Sequence, residues 1–283
     1  MTSLSPAEMT AIGGTAGVCE VMIMQPTIAI KNALQEGRPI PWYPRALYRG
    51  LAVNAASIAP ITAIQFGTHR LLERALGEDI SELGRIGAAA GAGAASALVG
   101  CPAELLMIQQ QKSGQPLLAE ARRIVSEYGA LGLYRGLTAT TIRETVYTGS
   151  YLGLCPVLKG YLDSRKLLEG YPAGSSLVLS GITAGLFAAF ATQPVDTAKT
   201  RQQAFLDPKV HPEYATLRSS LRHLVQTNGL SSLWAGISPR AFRIATAVVI
   251  LQMIRTKLIS IVEGINTPGL SPEEEALLTL PRD

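Results

Sequence analysis

"QPVDTAKTRQQ", residues 193–203, follows the apolar run "LVLSGITAGLFAAFAT", residues 177–192. Asp196 and Lys199 are three apart, so on a helix they share a face. Pro194 bends or interrupts a helix just before them. Taken alone, the stretch reads as a helix end with solvated charges. It has two relatives, however: "QPTIAIKNALQ" at 25–35 and "CPAELLMIQQQ" at 101–111. Aligned on Pro26, Pro102 and Pro194, a glycine stands nine residues earlier each time: Gly17, Gly93 and Gly185. Gly13, Ala89 and Gly181 stand thirteen earlier, which makes a small-xxx-small pattern for close helix contact. Two after each proline come Ile28, Glu104 and Asp196; five after, Lys31, Met107 and Lys199; nine after, Gln35, Gln111 and Gln203.

A second signature follows each copy: "LYRG" ending at Gly50, "LYRG" at Gly136 and "LWAG" at Gly236. Each opens another apolar stretch. The chain therefore reads as three tandem repeats of two helices each, at about 5–78, 79–166 and 172–264, within one domain spanning 1–283. Residues 265–283 form an acidic C-terminal extension containing "SPEEEALLTLPRD". The expected fold is an all-α membrane protein of six transmembrane helices. "LLAEARRIVSEYG" at 117–129 and "LRSSLRHLVQTNG" at 217–229 add short amphipathic helices, the latter with Leu217, Leu221, Leu224 and Val225 on one face.

Composition agrees. Of the 283 residues 47% are hydrophobic and 16% charged, where soluble domains run nearer about 25%; mean hydropathy is +0.23. No cleavable leader is expected, and Ser5, Pro6 and Glu8 have the pattern of a helix start. Cys19, Cys101 and Cys155 fall in separate apolar stretches without a CxxC, so neither a disulfide framework nor a zinc site is indicated. A net charge of +4 without a basic stripe argues against nucleic acid. GxxxxGK[ST] and GxGxxG are absent, and no catalytic constellation stands out. The chain is read as a non-enzyme without cofactor or metal.

The recurring Px[DE]xx[KR] and [aromatic][KR]G motifs resemble those of the mitochondrial carrier family, over residues from about 8 to 264. That resemblance implies a six-helix bundle with pseudo-threefold symmetry in the inner mitochondrial membrane, crossing it several times and moving a small metabolite through a central cavity by alternating access. It implies that the prolines turn the odd-numbered helices inward and that the charges beyond them close the matrix end. The implied pairs are Glu104 with Lys199 and Asp196 with Lys31, while Ile28 and Met107 replace the third pair by an apolar contact. Gln35, Gln111 and Gln203 match the positions that brace such pairs. Cardiolipin is the implied bound lipid, at Tyr48, Arg49 and Gly50, at Tyr134, Arg135 and Gly136, and at Trp234 and Gly236, where helix starts offer free N–H groups.

Seven residues after the three glycines stand Ser57, Arg143 and Arg243, the family's substrate-contact positions. Arg143 with Glu144 suits a zwitterion such as an amino acid or acylcarnitine, and Arg243 suits a carboxylate. Glu20 is a further candidate facing the cavity. The second, cytosolic gate is degraded: its acid positions hold Arg70, Pro156 and Thr256, and its base positions Glu73, Lys159 and Ile259, leaving Glu73 with Lys159 as the one available bridge. Two functions follow. One is transport of a small metabolite. The alternative is a transport-inactive structural subunit of an inner-membrane respiratory complex, with that complex's other subunits as partners.

Overall fold

A computed structural model describes residues 6–77, 80–171 and 174–266, which are helical with no strand among the described residues. The long helices are α1 (Pro6–Glu36), α3 (Leu51–Leu76), α4 (Glu82–Ser113), α8 (Ser175–Ala204) and α10 (Ile237–Asn266). The remaining helices are α2 (Pro44–Leu47), α5 (Leu117–Tyr128), α6 (Leu137–Thr148), α7 (Cys155–Ser164) and α9 (Leu217–Asn228). At about 1.5 Å per residue, the 31 residues of α1 extend for roughly 46 Å, more than a bilayer core of about 30 Å. The Thr256 and Ile259 side chains and the extension beyond Asn266 lie outside the described residues.

Four segments have the length and hydropathy of a membrane span: Pro44–Leu76, Glu82–Ser113, Ser175–Ala204 and Leu230–Leu251. The other two spans of the six-helix fold are α1 and the α6–α7 unit. Both are diluted by polar residues: Glu20, Gln25, Lys31 and Asn32 on α1, and Arg143 and Glu144 on α6. The spans form a closed ring in chain order, from α1 through α3, α4, α6–α7, α8 and α10 back to α1.

Small residues set the spacing within each repeat. The glycine nine before each proline faces the residue eight after the even-helix glycine: Gly17 with Ile58, Gly93 with Glu144, Gly185 with Ile244. A Cβ on Gly185 would lie 2.6 Å from Ile244 Cγ2, whereas one on Gly17 would lie 3.9 Å from Ile58 Cγ2. The first repeat is thus packed more loosely here. Helix continues through Pro26, Pro102 and Pro194 without a break. In the fourth span a π-helical segment, Gly149–Leu154, joins α6 to α7 just before Pro156. A proline has no N–H to give and crowds the preceding turn, and a π-turn relieves both.

The amphipathic helices lie where the pattern puts them. On α5, Ile124 packs with Leu105 and Leu206; on α9, Leu224 packs with Ala198 and Leu233, flanked by Leu217, Leu221 and Val225. Among the described residues the first repeat has no helix in that place: its four-residue α2 stands just before the glycine, at the register of the short turns Ala130–Tyr134 and Leu230–Trp234. Pro39, Pro41 and Pro44 interrupt any longer helix there.

Candidate functional site

The C-terminal parts of α1, α4 and α8 meet and close one end of the ring. Lys31 Nζ donates to Asp196 Oδ2 at 2.8 Å, joining α1 to α8. Lys199 Nζ donates to Glu104 Oε2 at 2.7 Å, joining α8 to α4. At the third seam Ile28 and Met107 pack with Val53, and Asn32 donates to Gln111 Oε1 at 2.8 Å. Asp196 is fully buried and Lys199 is 2% exposed. Breaking such a pair by removing one partner costs about 3–5 kcal/mol, because the other charge is stranded.

Gln35 Nε2 donates to Asp196 Oδ2 at 2.9 Å, so it braces the Lys31–Asp196 pair. Gln111 and Gln203 make no hydrogen bond to a gate pair among the described residues. Gln203 donates to the Arg135 carbonyl at 3.3 Å and Gln111 to the Arg49 carbonyl at 3.4 Å. Gln111 lies at the seam where Ile28 and Met107 leave no ion pair to brace. At Gln203 the exposed carbonyl end of a tight turn is the nearer acceptor.

The proposed contact residues do not stand free in the cavity. Arg143 Nη2 donates to Glu104 Oε1 at 2.5 Å and also to Glu144 Oε1, and Arg143 Nε lies 3.7 Å from Asp196 Oδ1. Arg243 pairs with Glu20 at 3.2 Å, tying α10 to α1. Ser57 donates to the Asn54 carbonyl at 2.9 Å. The expected Glu73–Lys159 bridge is absent. Glu73 lies 3.7 Å from His69 and Lys159 lies 2.6 Å from Asp163, each one turn away on its own helix. An intrahelical partner is always within reach, whereas α3 and α7 are separate spans of the ring at this open end.

Two recurring devices carried no role in the sequence reading. The residue just before each proline holds the carbonyl just before the even-helix glycine. Gln25 donates to Arg49 O at 3.0 Å, Cys101 Sγ approaches Arg135 O at 3.5 Å, and Gln193 donates to Ala235 O at 2.7 Å. The residue four after that glycine reaches back in two of the repeats: Asn54 donates to Gln25 Oε1 at 3.0 Å, and Arg240 to Gln193 Oε1 at 2.9 Å. Arg240, only 8% exposed, also donates to Thr192 Oγ1 and lies 3.6 Å from Asp196 Oδ2. The signal was there in the register, since Gln25, Cys101 and Gln193 occupy one position and Asn54, Thr140 and Arg240 another.

The glycine turns themselves have left-handed backbones, with φ of 81° at Gly50 and Gly136 and 75° at Gly236. Each turn abuts the next repeat's odd helix. A Cβ on Gly50 would lie 2.7 Å from Met107 Cγ, and one on Gly236 3.0 Å from the Lys31 carbonyl. Tyr48, Tyr134 and Trp234 are exposed beside these turns. Arg135 is turned into the protein, donating to the Gln202 and Tyr214 carbonyls at 3.0 Å each. Burial lowers its pKa from the ordinary arginine value, yet arginine keeps its charge in proteins.

Comparison with known proteins bears on this arrangement. The family model described as "Mitochondrial carrier protein" matches residues 78–166 and 173–263. The first repeat, in which Ile28 replaces the acid, lies outside the matched segments. An uncharacterized mitochondrial carrier of Schizosaccharomyces pombe is 29% identical over 276 residues, covering 91% of this chain and 94% of its own. The human mitochondrial 2-oxoglutarate/malate carrier protein is 30% identical over 275 residues, 84% of this chain and 85% of its own. A probable chloroplastic S-adenosylmethionine carrier of Arabidopsis thaliana is 28% identical over 244 residues, 82% of this chain and 68% of its own. With two repeats matched by the family model and relatives aligned along most of its length, the chain belongs to the mitochondrial carrier family.

Proposed function

We propose that this chain moves a small zwitterionic metabolite, of the amino-acid or acylcarnitine kind, across the mitochondrial inner membrane by alternating access. Family membership makes it a membrane carrier rather than an enzyme. The observation that carries the finer reading is the paired plus and minus charges inside the helix ring. Arg143 with Glu144 lies at the closed end. Arg243 with Glu20 lies further along the axis, Glu20 being eight residues and about 12 Å up α1 from the Ile28 level. Ionised residues facing the interior of a membrane bundle are functional by default. A carboxylate entering the cavity competes with Glu20 for Arg243, and an ammonium competes with Arg143 for Glu144. The relatives named for 2-oxoglutarate/malate and for S-adenosylmethionine carry other solutes, so the solute is argued from these charges alone.

In this reading the Lys31–Asp196 and Lys199–Glu104 pairs and the Ile28–Met107 contact form the matrix gate, here closed. Cardiolipin is proposed at the three glycine turns. The exposed Tyr48, Tyr134 and Trp234 offer it an apolar face, and the first N–H groups of α3, α6 and α10 suit its phosphates.

The test is exchange in cardiolipin-containing liposomes, with radiolabelled amino acids and acylcarnitines offered one at a time. The expected result is saturable uptake of one of them, lowered about 100-fold or more by Arg243→Ala, which strands Glu20 and removes the carboxylate contact. Absence of uptake, together with comigration of the native chain in stoichiometric amount with a respiratory complex, would overturn the reading in favour of a structural subunit.

A further inference from the structure

Each acid of the closed gate touches cations of two kinds. One comes from a neighbouring repeat: Lys199 for Glu104, and Lys31, with Arg143 Nε further off at 3.7 Å, for Asp196. The other lies within the acid's own repeat. Glu104 on α4 meets Arg143 on α6, and Asp196 on α8 meets Arg240 on α10. Asp196 also has Lys199 at 3.2 Å, three residues along its own helix. The seven charges of this cluster are four cations (Lys31, Lys199, Arg143, Arg240) and three acids (Glu104, Glu144, Asp196), so the cations outnumber the acids by one.

The two kinds of partner have different fates when the ring opens. The odd and even helices of one repeat are held together by their close-packed glycines, Gly93 against Glu144 and Gly185 against Ile244. Gln193 and Arg240 add hydrogen bonds between α8 and the start of α10. Contacts between repeats are what opening must part. Lys199 then leaves Glu104, and Lys31 and Arg143 leave Asp196, while Arg143 travels with Glu104 and Arg240 with Asp196.

We propose that Arg143 and Arg240 are positioning residues that take over the two gate acids as the inter-repeat pairs separate, so that neither carboxylate is stranded in the open state. The inference rests on the gate reading above. It explains why Arg240 is buried outside the cavity yet aimed at Asp196. It also explains why Arg143 Nη2 is shared between Glu104 and Glu144, with its Nε buried and without a hydrogen-bond partner among the described residues. For Glu104 the takeover rests on Arg143 alone. For Asp196 it is divided between Arg240 and Lys199.

The sign of the effect separates this role from a purely structural one. If these arginines merely braced the closed gate, neutralising them would open it. As replacement partners they stabilise the open state more than the closed one, so neutralising them holds the gate shut. Met107→Cys places a thiol at the apolar seam, and a membrane-impermeant maleimide applied from the matrix side, without added solute, reads its exposure. The increment over the Met107 parent isolates this thiol from Cys19, Cys101 and Cys155. Arg143→Gln is expected to slow labelling about tenfold or more, since a buried carboxylate then loses its one remaining partner on opening. Arg240→Gln is expected to slow it several-fold, and Arg143→Lys and Arg240→Lys to restore the parent rate. Arg143 bears chiefly on Glu104, its Nε lying 3.7 Å from Asp196, and Arg240 bears on Asp196 alone, so either variant that folds supplies the test. Faster or unchanged labelling in the glutamine variants overturns the proposal and leaves the gate standing. A thiol unreactive in every background, parent included, overturns the gate reading and the proposal together.

Discussion

At the scale of single residues, the site is a matter of which charge is left alone when one is removed. Asp196 lies within 4 Å of Lys31, Lys199, Arg143 and Arg240, all through side-chain atoms. Asp196→Asn therefore strands several cations at once. A loss of about 3–5 kcal/mol is expected, seen as a lowered midpoint of thermal unfolding in detergent. The apolar seam behaves differently, because Ile28 and Met107 lack charge together. Ile28→Asp or Met107→Lys alone buries one unpaired charge and destabilises, while the double variant recovers most of the loss. A thermal-unfolding double-mutant cycle checks this coupling. Register shows that Lys31 and Lys199, and Glu104 and Asp196, occupy equivalent positions, and their pairing between neighbouring repeats is what the family resemblance implies. The partners of the amides were not legible. Gln35 finds an acid, but Gln111 and Gln203 find carbonyls of glycine turns, and sequence spacing cannot say which acceptor is nearer. Nothing in the sequence marks Arg240 as a partner of Asp196, because four residues past its glycine it faces α8.

At the scale of elements, glycines decide how close helices come. Gly50 has a left-handed backbone, and a Cβ there would run into Met107. Gly50→Ala is expected to cost about 1–2 kcal/mol from the backbone alone, with further loss from displacing Met107. Gly14 on α1 has nothing within 4 Å of a Cβ. Gly14→Ala should be neutral or stabilise by up to about 1 kcal/mol through helix propensity, which makes it the matched control in the same unfolding measurement. The helices and their repeats were legible because apolar patterning and turn glycines recur three times. The π-segment at Gly149–Leu154 was not, although Pro156 marked the place. A proline inside a span signals a disturbed hydrogen-bond ladder, but not whether the chain kinks, breaks or inserts a residue. The helix-free segment before α2 follows from Pro39 and Pro41 within it and Pro44 at its end, and it sets repeat one apart from the other two.

At the scale of the molecule, the pseudo-threefold plan is carried by near-identical devices at three junctions, and the departures fall mostly on the first repeat. There Ile28 stands in place of the gate acid, the Gly17 contact is loose, and no amphipathic helix lies among the described residues between α1 and the turn before Gly50. The seam between repeats one and two lacks an ion pair, while the α4–α8 seam adds Gln109 to Gln203 O at 2.6 Å and Lys112 to Ala204 O at 2.7 Å. The ring is thus tied unevenly at this end. The opposite end has no inter-helix pair between Glu73 and Lys159, each being satisfied on its own helix. The central claim is that the closed end opens in every transport cycle. A protein with Ile28→Cys and Met107→Cys, reconstituted in liposomes loaded with the transported solute, tests it when a short thiol cross-linker is added and exchange is followed. The account predicts that cross-linking stops exchange and that cleaving the linker restores it. Exchange that continues at full rate with the seam covalently closed would contradict it.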